Sequence, residues 1–206
     1  MNRAILQKNW LILKNIPVYI HIGFIAFMFL FAFVSGTILG PMIGTNVYIL
    51  GLMMEIFRED ENNQTLRYTK GLPISSFKIT NSTYFCYLML SLIAFIISFV
   101  IGLVSVKLWG LDPEQLYELV FGSLSLMVIY SSMIPICIKF KVKMAMPIFM
   151  AYIVVYSFII ALFLYMMGIF SEPFNAERAY LIVGSVSAVM FLINYVLSII
   201  FVKNYK

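Results

Sequence analysis

The residues whose side chains could do chemistry are few in this sequence, and they lie in apolar surroundings. His21 is the single histidine, which excludes a histidine-rich metal site or a mechanism that needs two imidazoles. Cys86 and Cys137 both fall in hydrophobic stretches, so we predict buried thiols rather than a disulfide framework or a zinc site. Glu55 is the one carboxylate within the long apolar stretches, and it lies near the end of its stretch, which disfavours acid-base catalysis by paired carboxylates inside them.

These titratable residues have ordinary structural interpretations. We expect His21 to bond a backbone carbonyl as a neutral imidazole rather than to relay protons. Glu55 is about one helical turn from Arg58, so we expect a local ion pair or a contact with a partner. The chain has no glycine-rich phosphate-binding loop of the Walker type, and we therefore predict that it does not hydrolyse ATP by itself and binds no cofactor or metal.

Uncharged polar residues within the apolar stretches are candidates for a transport path, because a bilayer makes such residues costly. Asn46 is one of them, and Ser187, Asn194 and Ser198 fall on one side of the last stretch by helical spacing. The alternative, which we favour, is that they hydrogen-bond neighbouring helices at about 0.6 kcal/mol each.

Three glycines, Gly36, Gly40 and Gly44, repeat the GxxxG spacing that lets two membrane helices approach closely. Pro41 directly follows Gly40, so a kinked or re-entrant turn is an alternative to helix packing. Where Gly40 and Gly44 lie within a span, we expect them to serve packing rather than to line a pore.

The elements that must position all of these residues are membrane helices. Apolar and aromatic residues make up 63% of the 206 residues, against about 45–50% in globular chains. Crossing a bilayer takes about 20 helical residues, and the apolar runs lack the alternation of barrel strands. We predict an all-α polytopic protein with six transmembrane helices, at about 18–36, 38–57, 82–106, 118–138, 144–168 and 179–202.

The basic residues predict the orientation of these spans. Twelve of the 14 lysines and arginines fall before the first span, after the second or fourth span, or in the C-terminal tail. The opposite side receives Lys107 and Arg178, with five carboxylates nearby. By the positive-inside rule both termini are cytoplasmic, and the net charge of +5 reports topology rather than nucleic-acid binding.

Residues 1–16 precede the first span and show helical periodicity. Apolar side chains fall on one side of this helix, namely Ile5, Leu6, Ile12, Leu13 and Ile16. We predict an interfacial amphipathic helix over 1–16, followed by a single transmembrane domain over 17–206. The alternative is a juxtamembrane extension of the first span. No apolar core with a small-residue cleavage site is present, so we expect no cleavable signal peptide.

The segment 58–80 is predicted to be a long cytoplasmic loop that docks on another protein. The acidic residues 59–61 are expected to face water. The apolar and aromatic residues that follow are harder to explain on a solvated surface, and the predicted contact residues are Tyr68, Leu72, Pro73, Ile74 and Phe77. Ser75 is expected to cap a short helix that leads into the third span.

A family resemblance rests on the same segment. Its residues are the acidic-asparagine stretch 60–63, then Tyr68, the core 71–75 reading Gly-Leu-Pro-Ile-Ser, then Ile79 and Ser82 to Tyr84. This pattern resembles the loop of the small permeases of bacterial ABC-2-type exporters, which are about 200 residues long. Those permeases share the amphipathic N-terminal helix and the six spans, so the resemblance covers the whole chain.

The resemblance implies a membrane half-transporter in the cell membrane without its own ATPase. It implies that segment 58–80 couples to a separate ABC ATPase subunit, a dimer in the assembly, which binds ATP and magnesium. A second copy or a paralogous permease would complete the path, with membrane lipid around it. The external loop 107–117 is short, which favours an amphipathic peptide, an antibiotic or a lipid as cargo over a polysaccharide.

Two other classes of protein, a stand-alone transporter or channel and a membrane protease, fit the sequence less well. A stand-alone secondary transporter or channel could be built from two inverted three-helix repeats, but Glu55 is the only candidate coupling carboxylate within the spans and it lies at an edge. A membrane protease needs facing acidic and histidine pairs, which the spans lack.

Overall fold

The structure is a computed structural model and describes residues 3–71, 74–113, 115–166 and 176–205. Within these residues the chain forms eight helices and no strand. In chain order the helices are α1 (Arg3–Lys14), α2 (Val18–Ser35), α3 (Leu39–Asn62), α4 (Thr65–Gly71), α5 (Ser76–Trp109), α6 (Gln115–Ser131), α7 (Met133–Met166) and α8 (Ala176–Asn204).

The prediction of an all-α polytopic fold is confirmed. Five helices are long and apolar enough to cross a membrane, namely α2, α3, α5, α7 and the part of α8 over Ile182–Asn204. α6 is apolar but has only 17 residues. α3 and α5 both extend beyond the predicted spans, so each helix continues into the segment that joins them.

α1 is a separate helix that packs along α3 and α5. It buries Ile5, Asn9 and Leu13, while Trp10 is largely exposed. Asn9 is thus part of the packed face, where it is 1% exposed and lies close to Cys86 of α5. Pro17 lies between α1 and α2. A proline has no backbone N–H to donate, so it separates the two helices rather than continuing the first.

The glycine series shapes the contact between α2 and α3. Gly36 ends α2 at a φ of +63°, a left-handed conformation that glycine adopts without a side-chain clash. A Cβ atom built on Gly40 would lie 1.9 Å from Cε1 of Phe31, and one on Gly44 would lie 2.5 Å from Sδ of Met28. Gly36 therefore forms the turn, whereas Gly40 and Gly44 allow the two helices to approach.

The fourth predicted span, 118–138, is not one continuous helix. α6 ends at Ser131, and α7 begins at Met133 after a single turn residue. Carbonyl groups at the end of α6 accept side-chain hydrogen bonds, from the Tyr87 hydroxyl to Met127, from Ser131 to Val128 and from Ser132 to Ile129. These hydroxyls add hydrogen bonds to carbonyls in the last turns of α6, where the helix stops. Hydropathy predicts a continuous span here because it does not register such bonds.

α7 contains a second break at Lys141, whose φ of 63° and ψ of 162° are not helical. A non-glycine residue in such a conformation costs about 1–3 kcal/mol. The helix resumes at Val142, whose backbone N–H donates to Oε2 of Glu61 at 3.0 Å. The Glu61 carboxylate from α3 therefore caps the renewed helix, where free N–H groups and the helix dipole favour a negative charge.

Candidate docking surface and buried polar network

The segment 58–80 is largely helical, so the prediction of a loop is wrong. The end of α3 covers 58–62, α4 follows, and α5 begins at Ser76. Gln64, with a φ of 49°, makes the turn from α3 to α4. The predicted cap is present, because Ser75 Oγ accepts a hydrogen bond from the Lys78 N–H at 3.4 Å. The helix that Ser75 caps is the whole of α5 rather than a short separate one.

α4 is seated on one end of the helical bundle. Its residues Leu66 and Thr69 face a small cavity whose other lining residues come from α1, α3, α5, α7 and α8, including Ile5, Phe57, Ile79, Ile138 and Val202. The opposite face of α4 carries Arg67 and Tyr68, which are exposed. The packing of Leu66 and Thr69 on the bundle explains why the polar segment of α4 is helical. The amino-acid composition of the segment does not predict this packing.

Two of the five predicted contact residues present exposed aromatic rings. Tyr68 is 70% exposed and Phe77 is 53% exposed; we call these two residues the aromatic docking pair. Phe77 also approaches the Tyr195 ring edge-on, at 6.4 Å between centroids. Ile74 is half-buried and packs against the main hydrophobic core, so it supports the surface from behind. Leu72 and Pro73 lie outside the described residues.

The acidic residues 59–61 do not simply face water, and that expectation is wrong for two of them. Asp60 forms an ion pair with Lys8 of α1, and the two side chains are only 15% and 29% exposed. Glu61 caps α7 through Val142. These partners lie 52 and 81 residues away in the sequence, which is why local composition does not reveal them. Glu59 bonds within its own helix end, accepting a hydrogen bond from Asn63 at 3.2 Å.

The three polar residues singled out on α8 are buried, and each of them hydrogen-bonds a polar side chain of another helix. Their bonds are Ser187 to the Tyr156 hydroxyl at 2.6 Å, Asn194 Nδ2 to Ser131 Oγ at 3.0 Å and to the Tyr152 hydroxyl at 3.2 Å, and Ser198 to the Tyr84 hydroxyl at 3.2 Å. We call these residues the polar ladder. It links α8 to α5, α6 and α7, as expected of interhelical hydrogen bonds in a bilayer.

Sequence reasoning missed the tyrosines of the polar ladder. In an apolar stretch a tyrosine is read as an aromatic core residue, although a buried hydroxyl needs a hydrogen-bond partner. One signal was available, because Tyr152 and Tyr156 are four residues apart and therefore lie on the same face of a helix.

The remaining polar residues of the spans have partners outside this ladder. Asn46 is buried on α3 and donates to a carbonyl of its own helix at 2.8 Å. His21 bonds through Nδ1 to the hydroxyl of Tyr48, not to the backbone carbonyl that we expected. Glu55 forms the expected ion pair with Arg58.

Together these features define a multi-pass, all-α membrane protein with a short helix packed on one end of its bundle. The profile of a family described as ABC-2 family transporter protein matches residues 4–203. That match covers nearly the whole chain, so the protein belongs to the ABC-2 transporter family. Membership makes it a permease-type membrane component and implies, in general, an ABC ATPase partner. No curated protein and no solved structure matches the chain.

Proposed function

We propose that this chain is the permease subunit of an ATP-driven exporter, forming half of the translocation path and coupling to a separate ATPase subunit through α4 and the start of α5. The observation that carries the proposal is the aromatic docking pair, Tyr68 and Phe77, exposed on helices that are anchored in the bundle. Aromatic anchors supply much of the energy of protein interfaces, whereas exposed charges at a rim supply little.

The nucleotide and its magnesium ion are, on this proposal, bound by the partner. The chain lacks the glycine-rich loop with its lysine and hydroxyl ligand that hold phosphates and magnesium in such ATPases. We expect the purified chain to show no ATP turnover, and the complex with the ATPase to hydrolyse ATP and to export cargo. A phosphate-release assay on a preparation shown by mass spectrometry to be free of ATPase subunits checks this. Turnover by the chain alone would refute the assignment.

We further propose that both termini and α4 face the cytoplasm, as the 12-to-2 distribution of basic residues indicates. Single cysteines are introduced by Arg67→Cys on α4 and by Leu108→Cys at the far end of α5, in a background with Cys86→Ala and Cys137→Ala. In intact cells a membrane-impermeant thiol reagent should label position 108 and spare position 67. Permeabilised cells should allow both to react. Labelling of position 67 in intact cells would reverse the topology.

The cargo that we propose is amphipathic: a peptide, an antibiotic or a lipid-like molecule. A cavity of about 560 Å³ lies between α5, α6 and α8, and its lining is mainly apolar with Ser125 and Ser187 as polar members. Such a surface suits an amphipathic cargo more than a sugar polymer. A second permease, either another copy or a paralogue, would enclose the other side of the path. Glu55 is paired with Arg58, which makes it a poor proton carrier for a secondary transporter.

A further inference from the structure

Another cavity, of about 390 Å³, lies between α1, α2, α3 and α5, away from α4 and from the polar ladder. Each of the three long helices lines it with one face, at positions 18, 21, 24 and 25 of α2, 45, 48, 49 and 52 of α3, and 90, 93, 94 and 97 of α5. Each set covers eight residues, which are seven steps along the helix, so at 1.5 Å of rise per step the cavity is about 10 Å deep.

The polar groups of this cavity are unevenly distributed. Deep in it, Thr45 Oγ1 donates to the Pro41 carbonyl at 2.9 Å, and His21 bonds Tyr48, so these groups already have partners within the protein. At the shallow end α1 contributes Lys14, which is exposed and forms no ion pair within the part of the chain that the structure describes. No lining residue is a carboxylate. The cavity is therefore an apolar slot with one cationic end.

We propose that this slot, which we call the α1 pocket, binds an anionic phospholipid, with one acyl chain in the cavity and the phosphate against Lys14. The apolar walls match a hydrocarbon chain, and basic pockets between membrane helices are suited to anionic head groups. A zwitterionic lipid offers the same chain but carries its own cation beside the phosphate, so Lys14 selects for net negative charge. The packing of α1 on the bundle forms one wall of the pocket, because Trp10, Leu13 and Lys14 line it.

Trp10 reports on the occupant because it lines the same pocket. The chain has two tryptophans, so Trp109→Phe leaves Trp10 as the single tryptophan. This protein is placed in phosphatidylcholine nanodiscs that contain an equal low mole fraction of either brominated-chain phosphatidylglycerol or brominated-chain phosphatidylcholine. Bromine quenches a tryptophan that it contacts. We expect about fivefold enrichment of the anionic lipid beside Trp10, the effect of one basic residue on an anionic head group.

Matched variants separate this site from general attraction to a basic surface. Lys14→Gln should make the two brominated lipids quench equally, and Lys14→Arg should keep the preference. Lys203→Gln, which removes an exposed lysine from α8 outside the pocket, should also keep it. Equal quenching in the parent protein, or a preference that survives Lys14→Gln, would overturn the proposal.

A competitor distinguishes a lipid from a free phosphate. Soluble glycerol phosphate carries the head group without the chain, so it should not relieve the quenching by brominated phosphatidylglycerol. Relief at low concentration would identify a site for a soluble phosphate and would overturn the acyl-chain assignment. The fluorescence readout requires neither ATP nor transport, so its failure is distinguishable from a failure of the proposed exporter function.

Discussion

Replacing Tyr68 and Phe77 together with aspartate is expected to release the ATPase subunit and to abolish export. Each aromatic anchor of an interface is worth on the order of 2 kcal/mol, or about 30-fold in affinity, and a buried aspartate adds a desolvation cost. Both side chains are exposed in this chain, so the variant should still fold and insert. The measurement is a pull-down of the ATPase at equal membrane abundance of parent and variant, with export assayed in parallel.

Glu59→Gln is the matched control for this experiment. It changes a charge in the same segment, but its bond to Asn63 stays within the end of α3, and we expect both ATPase binding and export to persist. Substituting Ile74 would be a poorer test, because Ile74 packs on the core and aspartate there would disturb folding. If the Tyr68 and Phe77 variant retains the ATPase as well as the parent does, docking occurs elsewhere. The next surfaces to test are the lysines at positions 139, 141 and 143, around the break in α7, and the helix α1.

The second large effect is expected from Lys8→Met. This change leaves the largely buried carboxylate of Asp60 without its cation, which should lower the free energy of unfolding by about 3 kcal/mol, the low end for a buried pair because both side chains keep some exposure. Adding Asp60→Asn removes the uncompensated charge while keeping a side chain that can bond Thr65. The double variant should therefore recover most of the lost stability. Thermal unfolding of the four proteins of the cycle in one detergent measures the coupling between the two positions.

Arg58→Met provides the control for this cycle. It breaks the ion pair with Glu55, but the Arg58 side chain is 61% exposed, and exposed pairs contribute no more than about 1 kcal/mol. We expect little change in the unfolding temperature. If Lys8→Met were equally harmless, the carboxylate of Asp60 would have to be hydrated in the folded protein. If the double variant were as unstable as Lys8→Met, the role of Lys8 would be packing of its aliphatic stem.

The sequence predicts the parts of this fold that depend on local composition. Apolar runs of about 20 residues locate the membrane helices because the cost of exposing backbone to lipid allows little else. The helical period of residues 1–16 predicts a helix there, which the structure places at Arg3–Lys14, and the spacing of Gly40 and Gly44 predicts a close helix approach. Ser75 can be recognised as a helix cap from the sequence because the two groups that bond, its hydroxyl and the Lys78 N–H, are only three residues apart.

The parts that it does not predict depend on partners distant in the sequence. Near the end of α6, the Met127 carbonyl accepts a hydrogen bond from the Tyr87 hydroxyl of α5, 40 residues away. The burial of Asp60 needs Lys8, and the break at Lys141 is compensated by Glu61. None of these residues has an unusual local pattern. The α1 pocket also depends on residues that are distant in the sequence. Most of its lining residues are apolar side chains with no distinctive local pattern, and the packing of four helices brings them together.

The polar ladder also bears on how the chain is made. Tyr84 and Ser198 are 114 residues apart, and Ser131 and Asn194 are 63 apart. During translation α5, α6 and α7 enter the membrane before α8 has been synthesised, so the hydroxyls of Tyr84, Tyr152 and Tyr156 then lack their partners on α8. An incomplete chain thus carries unpaired polar groups within the bilayer, a state that membrane quality-control proteases can recognise. Insertion of α8 completes these bonds and ends this exposure.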